Sequence, residues 1–393
     1  MTAAYPVLDA DQHYYEPEDA FSRHLEKPFR DRGVRILRDG RRAVTLIGGR
    51  INRFIPNPTF DPVIVPGALD LFFRGQLPDG ADRSQLMQVE PIRSEYRDRE
   101  VRLEVLDRQG IARSLLFPTA GVGVEQALLD DPQAAAASLK AFNRWLAEDW
   151  GFDFRDRIYA VPLISLAVPA AGRAEVEWCL ESGARMLHMR PGPVGSEAGM
   201  RSPGDAIFDP VWAAINEAGV PVAFHLGDGG YQRYAADYGE RSDMESFGSP
   251  APLGTLVSGE RAIHDTIATL VLGRVFERFP RIRVCSIENG SQWLVTLDRR
   301  LSKLFNQRPE LFAEPPADTL RRHVFTTPYA EDDLVDLRDR FGASQILMGS
   351  DWPHGEGLAE PLQFAELLDG FDDADRKQVM SENLRDLLGL ESS

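Results

Sequence analysis

Val220-Pro221-Val222-Ala223-Phe224-His225 is a short, strongly apolar run that ends on a histidine. It reads as a strand buried in the interior, and the segment before it, Asp209 to Ala218, has helical periodicity. The same alternation recurs along the chain. Seven further runs read as strands: Val7 to Asp11, Ile111 to Pro118, Ile158 to Leu163, Ala184 to Arg190, Ile282 to Ile287, His323 to Thr327 and Gln345 to Gly349. Helices are expected around Pro132 to Trp150, Ala170 to Ser182, Gly259 to Phe279, Ser291 to Phe305, Glu331 to Phe341 and Glu360 to Leu368.

Eight such strand-helix units close most naturally into an α/β fold of the (β/α)₈ barrel type. A doubly wound open sheet competes, but its glycine-rich phosphate-binding turn is missing after the first strand. Residues 1–393 are expected to form a single barrel domain. Two connections, 14–100 and 227–260, are far longer than an ordinary loop, follow the first and fifth strands, and should lie as lids over the barrel mouth. Within the first, Gly48-Gly49 between two apolar stretches predicts a β-hairpin. A last helix, 373–388, is expected to pack on the outside.

Composition narrows the function. The chain has 61 acidic and 44 basic residues, a formal net charge of −17 that repels a phosphate backbone and an anionic membrane surface. Nucleic acid and membrane are not expected partners. The N-terminus lacks a basic segment followed by an apolar stretch, so a cytoplasmic protein is expected. Cys179 and Cys285, the two cysteines, each sit in an apolar stretch and read as buried thiols.

Asp11 and His13 stand two apart where the first strand ends, so their side chains point to one face. His225 ends the fifth strand and Asp351 follows the eighth. Burying either without a partner costs on the order of several kcal/mol. Singly, each has an ordinary account, a core histidine bonded to backbone for His225 and a helix N-cap for Asp351. Together, two imidazoles and two carboxylates at three strand ends point to one divalent metal, zinc or else manganese. His188 and Arg190 share a face at the end of the fourth strand, where an arginine suits capture of a substrate carboxylate. His264, after the second lid, is a candidate for substrate contact or for packing.

Leu8-Asp9-Ala10-Asp11-Gln12-His13, Phe224-His225, Val275-Phe276-Glu277-Arg278-Phe279-Pro280 and Met348-Gly349-Ser350-Asp351-Trp352-Pro353 together resemble the amidohydrolase superfamily. They are most similar to the branch typified by aminocarboxymuconate-semialdehyde decarboxylase and related aromatic-acid decarboxylases. That resemblance implies a barrel with one divalent metal on Asp11, His13, His225 and Asp351, and decarboxylation of a small aromatic or unsaturated carboxylic acid. It also implies a homo-oligomer, a dimer, in which Arg299 reaches a neighbouring site. The chain departs from the pattern at Asp11, where His or Glu is more usual, and at Glu288, where the decarboxylases place a catalytic histidine. Glu288 is open to three roles: proton shuttle, direct ligand, or orienting group for His225 or a water. His354 is placed to take over the donor role. Metal-dependent hydrolysis of an amide, ester, lactone or carbon-carbon bond is the alternative reaction, and a non-catalytic metal-binding barrel is the second alternative.

Overall fold

The computed structural model describes residues 5–40, 42–77, 80, 86–240 and 252–391. Parallel strands form its centre: β1 (Val7–Tyr14), β2 (Ile111–Pro118), β3 (Ile158–Ala160), β4 (Leu187–Met189), β5 (Val222–His225), β6 (Val284–Ile287) and β7 (Val324–Thr326). β1 to β3 pair in sequence order in one sheet, and β4 to β7 in another. A parallel bridge between Leu163 and His188 joins the two, and another links Thr326 to Ile346. Segment 346–348 then returns to β1, where the Ala10 N–H donates to the Met348 carbonyl and Gln12 bridges to Trp352. The path of parallel hydrogen bonds therefore runs from β1 around to β1 again.

Helices alternate with these strands: α1 (Arg99–Gln109), α2 (Pro132–Asp149), α3 (Pro169–Glu181), α4 (Asp209–Ala218), α5 (Glu260–Leu272), α6 (Gln292–Gln307) and α7 (Leu334–Phe341). Their ends follow from local chemistry. Asp131 accepts from the Ala134 N–H with Pro132 in the first turn of α2, and Asp333 caps α7 through the Asp336 N–H. α4 stops at Gly219, whose φ of 70° is the left-handed conformation that a terminating residue needs. Phe142, Leu146, Ile215, Ile263 and Leu294 on the helices pack with strand residues such as Val222 and Val284 in the main core. A second cluster, Leu8, Leu115, Tyr159, Met186, Ala223, Cys285 and Leu347, fills the space that the strands enclose.

Three sequence expectations change, and one helix was not anticipated. α1 lies between the long connection 14–100 and β2, where no element was expected; Asp98 accepts from the Glu100 and Val101 N–H groups and Gly110 terminates it at φ 72°. The helix expected over 259–279 breaks at Arg274, which is left-handed at φ 56°, and resumes as Val275–Arg278. Pro361–Leu368 is a 3₁₀ rather than an α-helix. The last helical segment, 373–387 with a π turn at Gln378–Glu382, does not pack on the outside. Leu384, Leu387 and Leu388 join the interior cluster with Leu8 and Leu347, because this end of the strands presents apolar side chains that need a cover.

Within 14–100 the predicted hairpin is present, Arg42–Ile47 pairing with Arg50–Asn52 across Gly48 and Gly49, with Val34–Asp39 as a third strand. Both glycines have positive φ, 58° and 73°, as a two-residue turn between twisted strands requires. Tyr15, Phe60, Val63 and Tyr96 of this insertion cluster with Trp352, the residue after Asp351. In 227–260 the short helices Gln232–Ala236 and Pro252–Val257 are seen, and the stretch 241–251 lies outside the described residues. Among the described residues no helix is long and apolar enough to cross a membrane.

Candidate metal centre

β1 carries one more residue than its partner between Asp9 and Gln12, since Asp9 faces Ser114 while Gln12 faces Leu116. A bulge of this kind re-aims side chains. It lies where Asp11 must turn inward, and all eight residues of β1 are buried. His225 comes straight from the end of β5. Glu288 and Asp351 reach the centre differently, for both have left-handed backbones, φ 55° and 56°. Non-glycine residues rarely adopt this conformation unless their surroundings impose it. Here the Glu288 N–H donates to Thr327 Oγ1 and its carbonyl accepts from the Tyr329 hydroxyl, while the Asp351 N–H donates to the Asp11 carbonyl.

His13 Nε2 is the hub. It lies 3.2 Å from His225 Nε2, 3.2 Å from Asp351 Oδ1, 3.4 Å from Asp11 Oδ1 and 3.6 Å from Glu288 Oε2. His225 Nε2 stands 3.3 Å from Asp11 Oδ1 and 3.2 Å from Glu288 Oε2. Donors about 2.1 Å from a single tetrahedral ion stand about 3.4 Å from one another, so these spacings suit a shared cation. Asp11, His13, His225 and Glu288 form one group with donor atoms within 4.8 Å, and His13, Glu288, Asp351 and His354 form another. Glu288, open from sequence to the roles of shuttle, ligand or orienting group, thus stands within 3.6 Å of both imidazoles, as Asp11 does. The donor set fits a divalent ion: three clustered carboxylates, those of Asp11 and Asp351 buried and that of Glu288 half-buried, have only two imidazoles to balance them.

The charges respond to this crowding. Burial favours the neutral form of Asp11, but hydrogen bonds from His13 and His225 outweigh it and hold the carboxyl below its ordinary range. Burial likewise opposes charge on His13, but Asp11, Asp351 and Glu288 raise it well above the usual imidazole value. Burial and the neighbouring Asp351 raise Glu288. Asp351 is pushed up to about 6, chiefly by burial, and His354 down to about 4 by burial and His13.

A ring of fixed groups surrounds the donors. Asp9 accepts from the Asp11 and Ser350 N–H groups, Gln12 Nε2 and the Ser350 hydroxyl, tying the residues before both aspartates together. Arg102, fully buried, donates to the His13 carbonyl at 2.8 Å and lies over the Trp352 ring. His188 is buried beside His225 and Phe117, ring centroids 5.9 Å away in each case, and burial keeps it neutral.

Other candidates lie apart. The Arg190 guanidinium donates to the carbonyls of Pro191, Asp228 and Pro193, so it ties the loops after β4 and β5. His264 Nδ1 bonds Asp265 Oδ1 at 2.7 Å and belongs to neither donor group. Arg299 is exposed on α6 near Asp336. Three residues near the centre escaped the sequence reading: Thr119, which bonds His354, Tyr329, which holds Glu288, and Glu356, a carboxyl raised to about 8 by burial and by Asp351. All three come from loops, where no periodicity marks them.

The amidohydrolase family model matches residues 86–390. The chain belongs to the amidohydrolase family and is an enzyme of that class. An amidohydrolase from Mycobacterium avium subsp. paratuberculosis K-10 is 49% identical, with a TM-score of 0.94 over 98% of this chain and 100% of that one. A dihydroxybenzoic acid decarboxylase from Polaromonas sp. JS666, solved with bound manganese and an inhibitor, is 17% identical with a TM-score of 0.57, covering 82% of this chain and 93% of that one; it shares the fold. A 2-amino-3-carboxymuconate-6-semialdehyde decarboxylase from Dictyostelium discoideum is 27% identical over 130 residues, 32% of this chain. That match spans 36% of the relative's length.

Proposed function

We propose that this protein is a single-domain (β/α)₈ barrel enzyme with lid insertions at 14–100 and 227–260, and that it removes carbon dioxide from a small aromatic or unsaturated carboxylic acid. The observation that carries the reading is the convergence of Asp11, His13, His225, Glu288 and Asp351 around His13 Nε2. Asp11, His13, His225 and Asp351 are the proposed ligands of one divalent ion, with Glu288 as a further donor to it. Zinc suits the mixed imidazole and carboxylate set, and the manganese of the Polaromonas relative supports manganese as the alternative. When bound, such an ion supplies Lewis-acid attraction for a substrate carboxylate and an adjacent oxygen.

The chain's own groups then have distinct tasks. Asp351, whose carboxyl holds its proton more tightly than an ordinary aspartate, gives that proton to the ring carbon that carries the departing carboxylate. The new C–H bond forms, and the electron pair of the broken C–C bond returns to the ring as carbon dioxide leaves. His354, 2.7 Å from Asp351 Oδ1, is placed to restore the proton. Trp352, Tyr15 and Phe60 exclude water on the insertion side. His188 walls the pocket beside His225; Arg190 shapes the loops that frame the substrate, and His264 and Arg299 act farther out, Arg299 across a dimer interface. The proposed setting is cytoplasmic.

One observation favours hydrolysis as a second reading. Glu288, 3.2 Å from His225 Nε2, is a carboxylate where a decarboxylase of this branch would place a cationic donor, and a carboxylate can accept a proton from an attacking water. Elemental analysis of the purified protein, with carbon dioxide release measured on a panel of aromatic carboxylates and product formation on amides and lactones, separates the two. Carbon dioxide release from any carboxylate supports decarboxylation; turnover of amides or lactones alone overturns it.

A further inference from the structure

At the opposite end of the barrel from the metal centre lies a cavity of about 360 Å³, within the range of roughly 300–1,000 Å³ that small-molecule sites occupy. Its place follows from the chain: His323 immediately precedes β7, whereas Glu288 follows β6 at the metal end. Val271, Phe276, Pro280 and Phe312 give apolar walls, and Arg274 and Arg322 stand among them. Neither guanidinium is a vacant anion site. Arg274 donates to Glu277 and Arg322 to Glu314, which also accepts from Thr319 Oγ1 at 2.8 Å. The charges of these two pairs cancel.

One polar atom of the lining is unmatched. His323 is 5% exposed, and its Nδ1 lies 2.7 Å from the Ile282 carbonyl, which can only accept, so that nitrogen carries hydrogen. The ring stacks on Phe276 with centroids 4.7 Å apart, which fixes its plane. Nε2, on the edge away from Ile282, has no hydrogen-bond partner among the described residues. Burial, helped by Arg322, holds the imidazole below its ordinary value, so at neutral pH Nε2 presents a lone pair. Water satisfies such a nitrogen alone; a ring that bears a hydroxyl also covers the apolar walls.

We propose that this cavity is a second binding site, and that its ligand is a neutral monocyclic phenol whose hydroxyl donates to His323 Nε2 while its ring covers Phe276 and Phe312. The aromatic walls and the guanidinium faces beside them favour a flat ring over an alkyl chain. A ring bearing a carboxylate is disfavoured, because it has to take a guanidinium from Glu277 or Glu314. A phenol is also what decarboxylation of a hydroxylated aromatic acid releases. That link rests on the reaction proposed above; the chemistry of the cavity does not.

The test titrates phenol calorimetrically into the full-length, zinc-loaded protein, with benzoate as the comparison. Two variants separate phenol held here from phenol held at the metal. Ala313 is exposed on the cavity lining, so Ala313→Trp fills the space from its rim. His323→Phe keeps the stack on Phe276 and removes Nε2. The wild type should bind phenol at a site that Ala313→Trp abolishes and that His323→Phe weakens about tenfold, the worth of one hydrogen bond. Zinc content and the benzoate isotherm should stay unchanged in both. A wild type that binds no phenol overturns the proposal, as does a phenol isotherm unaltered in Ala313→Trp or a benzoate isotherm altered as much as that of phenol. Loss of an oligomer in Ala313→Trp, read by light scattering, overturns it too, since a second copy then fills the cavity. Should His323→Phe fail to fold, Ala313→Trp alone decides. Carbon dioxide release measured on the same samples keeps the readings apart: the expected phenol binding without decarboxylation of any carboxylate removes the reaction and leaves the site.

Discussion

His13 Nε2 and His225 Nε2 face each other 3.2 Å apart, both rings buried. His225 uses its other nitrogen on the Leu226 carbonyl at 2.8 Å, so in the neutral ring Nε2 presents a lone pair to the centre. Two imidazole nitrogens directed at one point, with three carboxylates beside them, call for a cation between them.

His225→Ala removes one of those nitrogens and leaves the carboxylates without a matched donor. One divalent ion per wild-type chain is expected, and the variant should lose most of it. Elemental analysis after gel filtration reads this directly. Full occupancy in the variant would take His225 out of the ligand set.

Asp9 gives a pH-dependent prediction. Burial raises its carboxyl from the ordinary 3.8 to about 7. Between these values the native state retains a proton that the unfolded chain has released, so the contribution of this carboxyl to stability is greatest below about 4 and is lost as pH rises towards 7. Asp9→Asn mimics the protonated carboxyl and should flatten this decline. Thermal midpoints in the presence of chelator should coincide near pH 4, and the variant should gain on the wild type by pH 7; a constant difference across the range would place the titration elsewhere.

Gly67 joins the insertion to the loop after Asp351. Its N–H donates to the His354 carbonyl, as Leu69 N–H does to Gly355, and its φ is 73°. A Cβ there would come 2.7 Å from the Ala359 nitrogen, which is backbone and cannot swing aside. Gly67→Ala should therefore cost about 1–3 kcal/mol, from left-handed strain and this contact together. Chemical denaturation measures the loss, and limited proteolysis should show faster cleavage within 14–100. An unaltered midpoint would mean that the insertion does not clasp this loop.

What was legible in the sequence had a period or a boundary. The strands announced themselves because both of their faces are buried, so Val222 to His225 and Ile111 to Pro118 read as apolar runs. Asp11, His13, His225 and Asp351 stood out as polar groups at the ends of such runs. α1 was missed although Asp98 and Gly110 bracket it, because Arg102 and Gln109 on its buried side hide any apolar stripe. The last helix was placed on the wrong side of the fold, since an apolar face says that it is covered and not by what. The left-handed turns at Glu288 and Asp351, and the capture of Arg190 by three carbonyls, depend on contacts between distant segments and leave no local mark.

Asp351 and Glu288 compete for the proton-transfer role, and their amides separate them. Both carboxyls lie within reach of His13 Nε2, but only Asp351 also touches His354, at 2.7 Å. Asp351→Asn keeps the shape and one ligating oxygen while losing the exchangeable proton. Metal should be partly retained and turnover should fall by roughly 10² to 10⁴, the range for a lost general acid or base. Glu288→Gln should weaken metal binding more than it slows each loaded molecule, because its oxygen stands beside both imidazoles. Turnover normalised to bound metal decides the matter. Near-native turnover per metal in Asp351→Asn, together with its loss in Glu288→Gln, would move the acid-base role to the end of β6 and favour hydrolysis over decarboxylation.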